Sequence, residues 1–241
     1  MIAALPMYDR PELRGQTDAF WAAMRDALRQ RGIDAPDALT RDRDPWDIWQ
    51  DPTLLFAQTC GLPYRSRLHT RVQLVASPDF GLPGCGPGFY NSVILSGTTA
   101  LPATPRIAVN DAFSQSGWAA LFDWSERVGQ PLGTVTVTGS HAASARAVAD
   151  GQADLCAVDA QTWRLISRFD RPTGLFEIAR TDPTPALPYI TGAAQDAAIL
   201  RVALSEALRI LDPEQRRALN LAGVVSIPPA DYLSVPIPPN L

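Results

Sequence analysis

The amino-acid sequence predicts an α/β fold of two lobes, and three observations predict it. Short apolar runs alternate with helical segments along the first third of the chain, the pattern of a parallel-rich sheet with helices on its faces. From Ile107 to Asp159 the chain reads strand, polar turn, helix, strand, polar turn, helix, strand. Two polar, proline-containing stretches, 96–105 and 181–188, interrupt this order where the chain can cross between lobes. The expected division is 1–98 with 189–241 as the first lobe and 99–188 as the second, with a ligand cleft between them. Ligands of such α/β sheets sit near the carboxyl ends of the strands.

Ile2–Leu5 is the first expected strand. Thr17–Arg31 is an amphipathic helix, because Phe20, Trp21, Met24, Ala27 and Leu28 share one face and Gly32 stops it. Ala38–Arg41 is expected as a second strand. Asp44 to Trp49 is a short helix with Pro45 in its first turn. Leu54–Gln58 and Val72–Ala76 are strands flanking a short helix at Leu62–Leu68. Ser77–Gly88 is rich in Gly and Pro and reads as a long loop, followed by an extended Tyr90–Leu95. Beyond the repeated strand–helix units, Thr162–Phe169 is helical and Phe176–Ala179 a strand. Prolines at 183, 185 and 188 hold 181–188 extended. Ala197–Leu211 is a helix, and Asp212-Pro213 starts another through Leu219. The Pro-rich tail Ile227–Leu241 is expected to be extended.

The chain has 241 residues, is 46% hydrophobic and has a mean hydropathy of −0.04, enough apolar material for one large or two modest cores. No apolar run approaches the roughly 20 residues of a membrane span. A net charge of −4 argues against a general nucleic-acid binder, and no membrane insertion is expected. Every cationic side chain is arginine, which excludes a lysine Schiff base and a P-loop lysine. Three cysteines (Cys60, Cys85, Cys156) without a CxxC pair, and only two histidines, give no expected metal site or cofactor. Met1 to Tyr8 looks like a first strand ending in a turn, so a cytoplasmic location is expected for the chain as given; the alternative is periplasmic, with a signal removed.

The chemistry concentrates at the two polar turns, Asn110 to Gly117 and Thr138 to Ala142. Each opens a helix after an apolar run. The first N–H groups of a helix lack internal partners and carry partial positive charge, so two such ends lined by hydroxyls suit a small anion. Ser114 and Ser116 are candidates, although serine also serves simply as a helix cap. His141 stands at a helix start, where the dipole disfavours its charged form; a neutral ring donating to an anion and a structural hydrogen bond are both open. Asp159 ends a strand before a helix and can cap it or face the cleft. In the first lobe, Tyr8, Thr59 and Tyr64 follow strand ends on the ligand-facing side, with core packing as the alternative. His69 and the Arg41-Asp42-Arg43-Asp44 run read as solvated surface, and Trp46 with Trp49 as packing of a short helix.

Thr138-Gly139-Ser140-His141-Ala142, then Ala147-Val148-Ala149-Asp150-Gly151-Gln152-Ala153-Asp154 and Ala157-Val158-Asp159, resemble the phosphonate-binding proteins of ABC importers. Ser114-Gln115-Ser116-Gly117 is similar to that family's hydroxyl-rich turn before a helix. The resemblance implies a type II periplasmic-binding-protein fold, with two lobes, two hinge strands and closure on the ligand. It implies that Ser114, Gln115, Ser116 and His141 surround phosphate or phosphonate oxygens. Tyr8 and Tyr90 would contact the ligand from the first lobe or hinge. Asp159 matches an acidic residue that faces the ligand's amino group, with Asp182 as candidate for a second. Gln115 departs from the family, standing where a second hydroxyl is usual. The implied function is a substrate-binding protein for a small oxyanion (phosphate, phosphonate or a related ester) acting without catalysis, with an ABC permease as partner if exported. The alternative is a cytoplasmic enzyme on the same fold, of lyase or cofactor-biosynthesis type, using His141 and Asp159, with Cys85 a further candidate. An effector-sensing module of a regulator is a third reading.

Overall fold

The computed structural model describes residues 1–170 and 172–241. The chain opens with β1 (Ile2–Ala4), a 3-10 turn at Pro11–Leu13, α1 (Arg14–Arg29), α2 (Pro45–Trp49) and β2 (Leu54–Gln58). α3 (Gly61–Pro63) continues as a π-helical turn over Tyr64–Leu68, followed by β3 (Val72–Asp79), β4 (Phe89–Tyr90) and β5 (Ser92–Ser96). Next come β6 (Ile107–Val109), a π-helical turn over Gln115–Ala119, α4 (Ala120–Val128), β7 (Val135–Val137) and α5 (His141–Ala149). β8 (Leu155–Asp159), α6 (Ala160–Phe169), β9 (Phe176–Arg180), β10 (Thr184–Pro185) and β11 (Tyr189–Gly192) follow. The chain ends through α7 (Ala197–Ile210), α8 (Pro213–Ala218), β12 (Gly223–Val225) and α9 (Pro229–Leu233).

These elements form two compact units, Met1–Phe89 with Pro185–Ser234, and Tyr90–Thr184 with Val235–Leu241. The division differs from the expected 1–98/99–188 scheme in two places. Ser92–Ser96 belongs to the second unit because all five residues pair with β8, and β9 flanks their other side. The last seven residues join it too, with the Pro239 carbonyl accepting from the Trp118 indole at 2.8 Å. The short strands β4 and β10, where the chain passes between units, pair with each other.

The first unit is a five-stranded sheet in the order β1-β2-β11-β3-β12. β1 and β2 are parallel; β11 runs antiparallel to both β2 and β3, and β12 antiparallel to β3. α1 buries the expected stripe of Phe20, Trp21, Met24, Ala27 and Leu28. α2 is capped by Asp44, whose carboxylate accepts from the Trp46 amide at 2.8 Å. Trp46 and Trp49 meet edge to face at 5.2 Å, as expected of a packed short helix.

Four expectations need correction here. Ala38–Arg41 is not a strand; one hydrogen bond from Thr40 to the Ala3 carbonyl (2.8 Å) marks its approach to β1. Arg41 is drawn aside by Asp9 (2.5 Å) and Asp18 (2.6 Å), so local polar pairing outcompetes a ladder. β3 extends through Asp79, into the supposed loop, because Ser77–Asp79 pair with β12. Tyr189–Gly192 is a strand at the centre of the sheet, beyond the expected return crossing. The tail is not wholly extended: Pro228 and Pro229 launch α9, whose Tyr232 is 2% exposed.

Tyr232 anchors that helix. Its hydroxyl donates to the Ala186 carbonyl at 2.7 Å and bonds the Ser77 hydroxyl, while its ring lies edge-on to Tyr64 at 5.2 Å. Burial pushes the phenol well above its ordinary range, so it stays a donor.

The second unit is a five-stranded sheet in the order β7-β6-β8-β5-β9. β6 is parallel to β7 and β8, and β5 is antiparallel to β8 and β9. Ile94, Ile107, Val109, Leu155 and Ala157 form its core with Trp118, Leu121 and Trp124. Tyr232→Phe should cost about 1–3 kcal/mol of first-unit stability, since the Ala186 carbonyl would be buried without its donor. Urea denaturation followed by far-UV circular dichroism measures the loss; an unchanged midpoint would count against this anchoring.

Candidate functional site

The carboxyl ends of β6, β7 and β8 meet at one edge of the second unit, because these three strands are parallel. β5 runs the other way, so its Ser92 lies opposite Asp159 in register. A helical segment begins just past each parallel strand. After β6, Ser114 caps the π-helical turn, its Oγ accepting from the Gly117 amide at 2.9 Å. After β7, Ser140 caps α5, accepting from the Ala143 amide at 3.1 Å. After β8, Asp159 caps α6, accepting from the Thr162 amide at 2.8 Å. Three positive helix ends therefore gather at one sheet edge.

The first two turns are laced together by backbone. The Thr138 amide donates to the Val109 carbonyl (2.8 Å) and the Gly139 amide to the Asn110 carbonyl (3.0 Å), extending the β6–β7 ladder past both strands. Gly139 has φ of +85°, a left-handed turn that sets up the Ser140 cap. The lacing brings side chains into contact: Ser116 Oγ and His141 Nε2 are 2.9 Å apart. Thr138 adds a bond to Ser144 Oγ at 2.7 Å.

Enclosure controls the charge of His141. Burial of the ring lowers its pKa from the ordinary 6.5 to about 4, and a backbone hydrogen bond with Ala157 works against that only in part. The imidazole is therefore neutral near neutral pH. A neutral ring offers one donor and one acceptor, and a serine hydroxyl one donor and two acceptor sites. The Ser116–His141 pair can thus turn a donor outward while staying bonded internally.

Ser114, Gln115 and Ser116 are each under 5% exposed, so the π-helical turn is set into the unit rather than displayed on it. Ser114 serves as a cap, and its O–H remains able to donate while its oxygen accepts. Asp159 is 1% exposed and caps α6, which accounts for one carboxylate oxygen. Asp182 is exposed and ion-paired with Arg127.

The first unit's candidates are mostly interior. Tyr64 belongs to the apolar cluster with Ile48 and Leu68, and burial raises its phenol pKa. Expected as a ligand candidate with core packing as the alternative, it is 2% exposed with its ring edge-on to Tyr232 at 5.2 Å. Thr59 is fully buried, its amide donating to Pro188 at 3.0 Å. Tyr8 is half-buried and stands edge-on to Phe80 at 5.1 Å. It lines a cavity of about 40 Å³ with Leu5, Phe20 and Leu221. Tyr90, at the chain passage, is 1% exposed.

Asn110 was not singled out as a site residue, yet it shapes the first turn. Its Oδ1 is buried with no hydrogen-bond partner among the described residues. It occupies the space a Gly117 side chain would need, only 1.9 Å from where that Cβ would stand. The signal available in sequence was the glycine closing an Asn-to-Gly turn. No group of three or more potential metal ligands occurs among the described residues.

A family model described as the periplasmic substrate-binding protein of phosphonate ABC transporters matches residues 104–233, more than half of the chain. No curated protein matches. Among solved structures, the chain is similar to a methylphosphonate-bound protein, PhnD1, of Prochlorococcus marinus, at TM-score 0.69 and 13% identity, covering 96% of this chain and 94% of that one. It is similar to the binding component of an ABC phosphonate transporter of Pseudomonas aeruginosa, at TM-score 0.61 and 14% identity, covering 96% and 82%. A chloride-bound protein of Xanthomonas citri matches at TM-score 0.70 and 15% identity, covering 96% and 92%. The fold is that of the two-lobed periplasmic binding proteins.

Two outcomes are expected. Below pH 6.5 the unfolded chain protonates His141 while the folded protein does so only near pH 4. Stability should therefore fall as pH drops through that window, by roughly 2–3 kcal/mol for this group, with no contribution above it. Denaturant titrations at pH 7 and pH 4.5 should show a smaller fall for His141→Asn than for the unaltered protein. Gly117→Ala should displace the Asn110 carboxamide and cost about 1–3 kcal/mol, read as a lower unfolding midpoint; an unaffected midpoint would refute the close packing.

Proposed function

We propose, on the premise that this chain belongs to the family of periplasmic substrate-binding proteins of phosphonate ABC transporters, that it captures a small oxyanion of the phosphate or phosphonate type at the carboxyl edge of its second unit. The observation carrying this reading is the 2.9 Å pairing of Ser116 with His141, which joins two capped helix starts into one polar surface. An oxyanion there would be met by the Ser114 hydroxyl and by the one donor that the Ser116–His141 pair keeps outside its mutual bond, with Gln115 beside them. Hydrogen bonds to a charged group are worth roughly 1.5–3 kcal/mol each, so a few suffice without metal or covalent chemistry. Asp159, fixed by its cap, is positioned as the acceptor for a donor on the ligand's organic part. Tyr90 is proposed as a further contact, and an ABC permease in the adjoining membrane receives the bound anion. The periplasm is the compartment this reading entails.

His141 and Asp159 would be the reacting groups of an enzyme on this fold. Both are already committed, to Ser116 and to the Thr162 amide.

Thermal-shift and calorimetric titration with phosphate, methylphosphonate, aminoethylphosphonate and small carboxylates tests the reading. A phosphonate or phosphate should raise the melting temperature; ligand at 100 times its dissociation constant adds about 2.7 kcal/mol. Ser116→Ala and His141→Ala should each weaken binding by about tenfold or more, equal to at least about 1.4 kcal/mol. Stabilisation by carboxylates alone, or turnover of the bound compound, would overturn the proposal.

A further inference from the structure

The C-terminal tail reaches the turn that carries Ser114 to Ser116. Val235–Leu241 belongs to the second unit although the preceding Ser234 belongs to the first. It lies beyond the family match, which ends at residue 233. One specific contact ties it to the turn: the Trp118 Nε1–H donates to the Pro239 carbonyl at 2.8 Å. Trp118 is a member of the π-helical turn Gln115–Ala119, two residues past Ser116, and is 6% exposed. The turn is held by unusually long-range bonds, such as the Ala119 amide to the Ser114 carbonyl at 3.0 Å. That geometry is less favourable than an α-helix and persists where side-chain contacts support it. A buried indole N–H needs an acceptor, or it costs the full desolvation of the group.

The tail is suited to supply that acceptor. Pro236, Pro238 and Pro239 preset an extended backbone, so docking costs less conformational entropy than a flexible chain would. Proline carbonyls carry no competing N–H of their own residue. Ile237 is 62% and Leu241 46% exposed, while Val235 and Pro238 are half-buried.

We propose that the tail, through Pro239 and Trp118, is a positioning element for the Ser114–Ser116 turn: it fixes the π-helical geometry that aims the turn's donors at the ligand. The assignment rests on the oxyanion reading of that turn, and Trp118 itself touches no ligand in it.

The test uses the full-length protein, Trp118→Phe, and a chain ending at Ser234, with methylphosphonate and inorganic phosphate as probes. Trp118→Phe removes the N–H together with the five-membered ring of the indole, so benzothienylalanine at position 118, which keeps the bicyclic shape and lacks only the N–H, is the matched replacement and should behave as Trp118→Phe does. Both variants should bind the probe that the full-length protein prefers roughly tenfold more weakly, a difference of about 1.4 kcal/mol. The doubly altered chain should be no weaker than the shortened chain, because shortening already removes the bond that the change at Trp118 breaks. A synthetic peptide of the last seven residues should restore affinity to the shortened chain but not to shortened Trp118→Phe. Amide exchange at Gly117 and Ala119, measured without any ligand, should quicken in both variants while β6 and β8 amides keep their protection. Unchanged affinity and unchanged exchange at Gly117 and Ala119 would overturn the positioning role. Additive losses would overturn the shared bond. If the full-length protein binds neither probe, the oxyanion reading fails, whereas the exchange comparison still decides whether the tail orders the turn. If the shortened chain does not fold, Trp118→Phe alone decides both readouts.

Discussion

The second unit depends on one constraint: the amides at a helix start must find partners. Three helical segments begin at the same sheet edge, and each is capped by a different side chain, Ser114, Ser140 and Asp159. Caps satisfy only part of what each start offers, so the edge retains donor capacity. The ladder between the Thr138 and Gly139 amides and the Val109 and Asn110 carbonyls converts this from three separate ends into one surface. The Ser116–His141 contact follows from that ladder, and the neutrality of His141 follows from the enclosure the contact requires.

The first unit solves a different problem. Its sheet mixes parallel and antiparallel strands, and its later segments, β11, α7 and β12, complete a framework begun by β1 to β3. Tyr232 shows how the completion is secured: a helix near the C-terminus sends one phenol inward to bind both Ser77 on β3 and Ala186 near the returning chain. Its ring against Tyr64 makes the π-helical turn after α3 part of the core.

The legible parts of the fold were those where local pattern and tertiary role coincide. The stripe of α1, the proline-started α2, the apolar strands β2, β6 and β8, and the two polar turns all announce themselves by period or by breakers. Tyr189–Gly192 did not, because four residues after a proline-rich run carry no alternation; their strand character comes from the β2 and β3 edges on either side. Ala38–Arg41 had apolar character, but Asp9 and Asp18 claimed its arginine. At the candidate site, Ser114, Ser116 and His141 were readable because capping residues at strand–helix turns have positional meaning. The burial of Tyr64 was not, since the ring it meets, Tyr232, comes from the far end of the chain. Asn110 was hidden because its role rests on the absence of a side chain at Gly117, a close approach that composition does not show.

The position of β11 between β2 and β3 sets an order of assembly. During synthesis the amino-terminal strands leave the ribosome first but lack their central neighbour until residues past 188 emerge. All five strands of the other sheet, ending at Arg180, are available before then. Translation thus presents the later-numbered sheet as the first that can close, while β1, β2 and β3 wait with unpaired edges, the interval in which an exporting or chaperoning machinery would find this polypeptide most open.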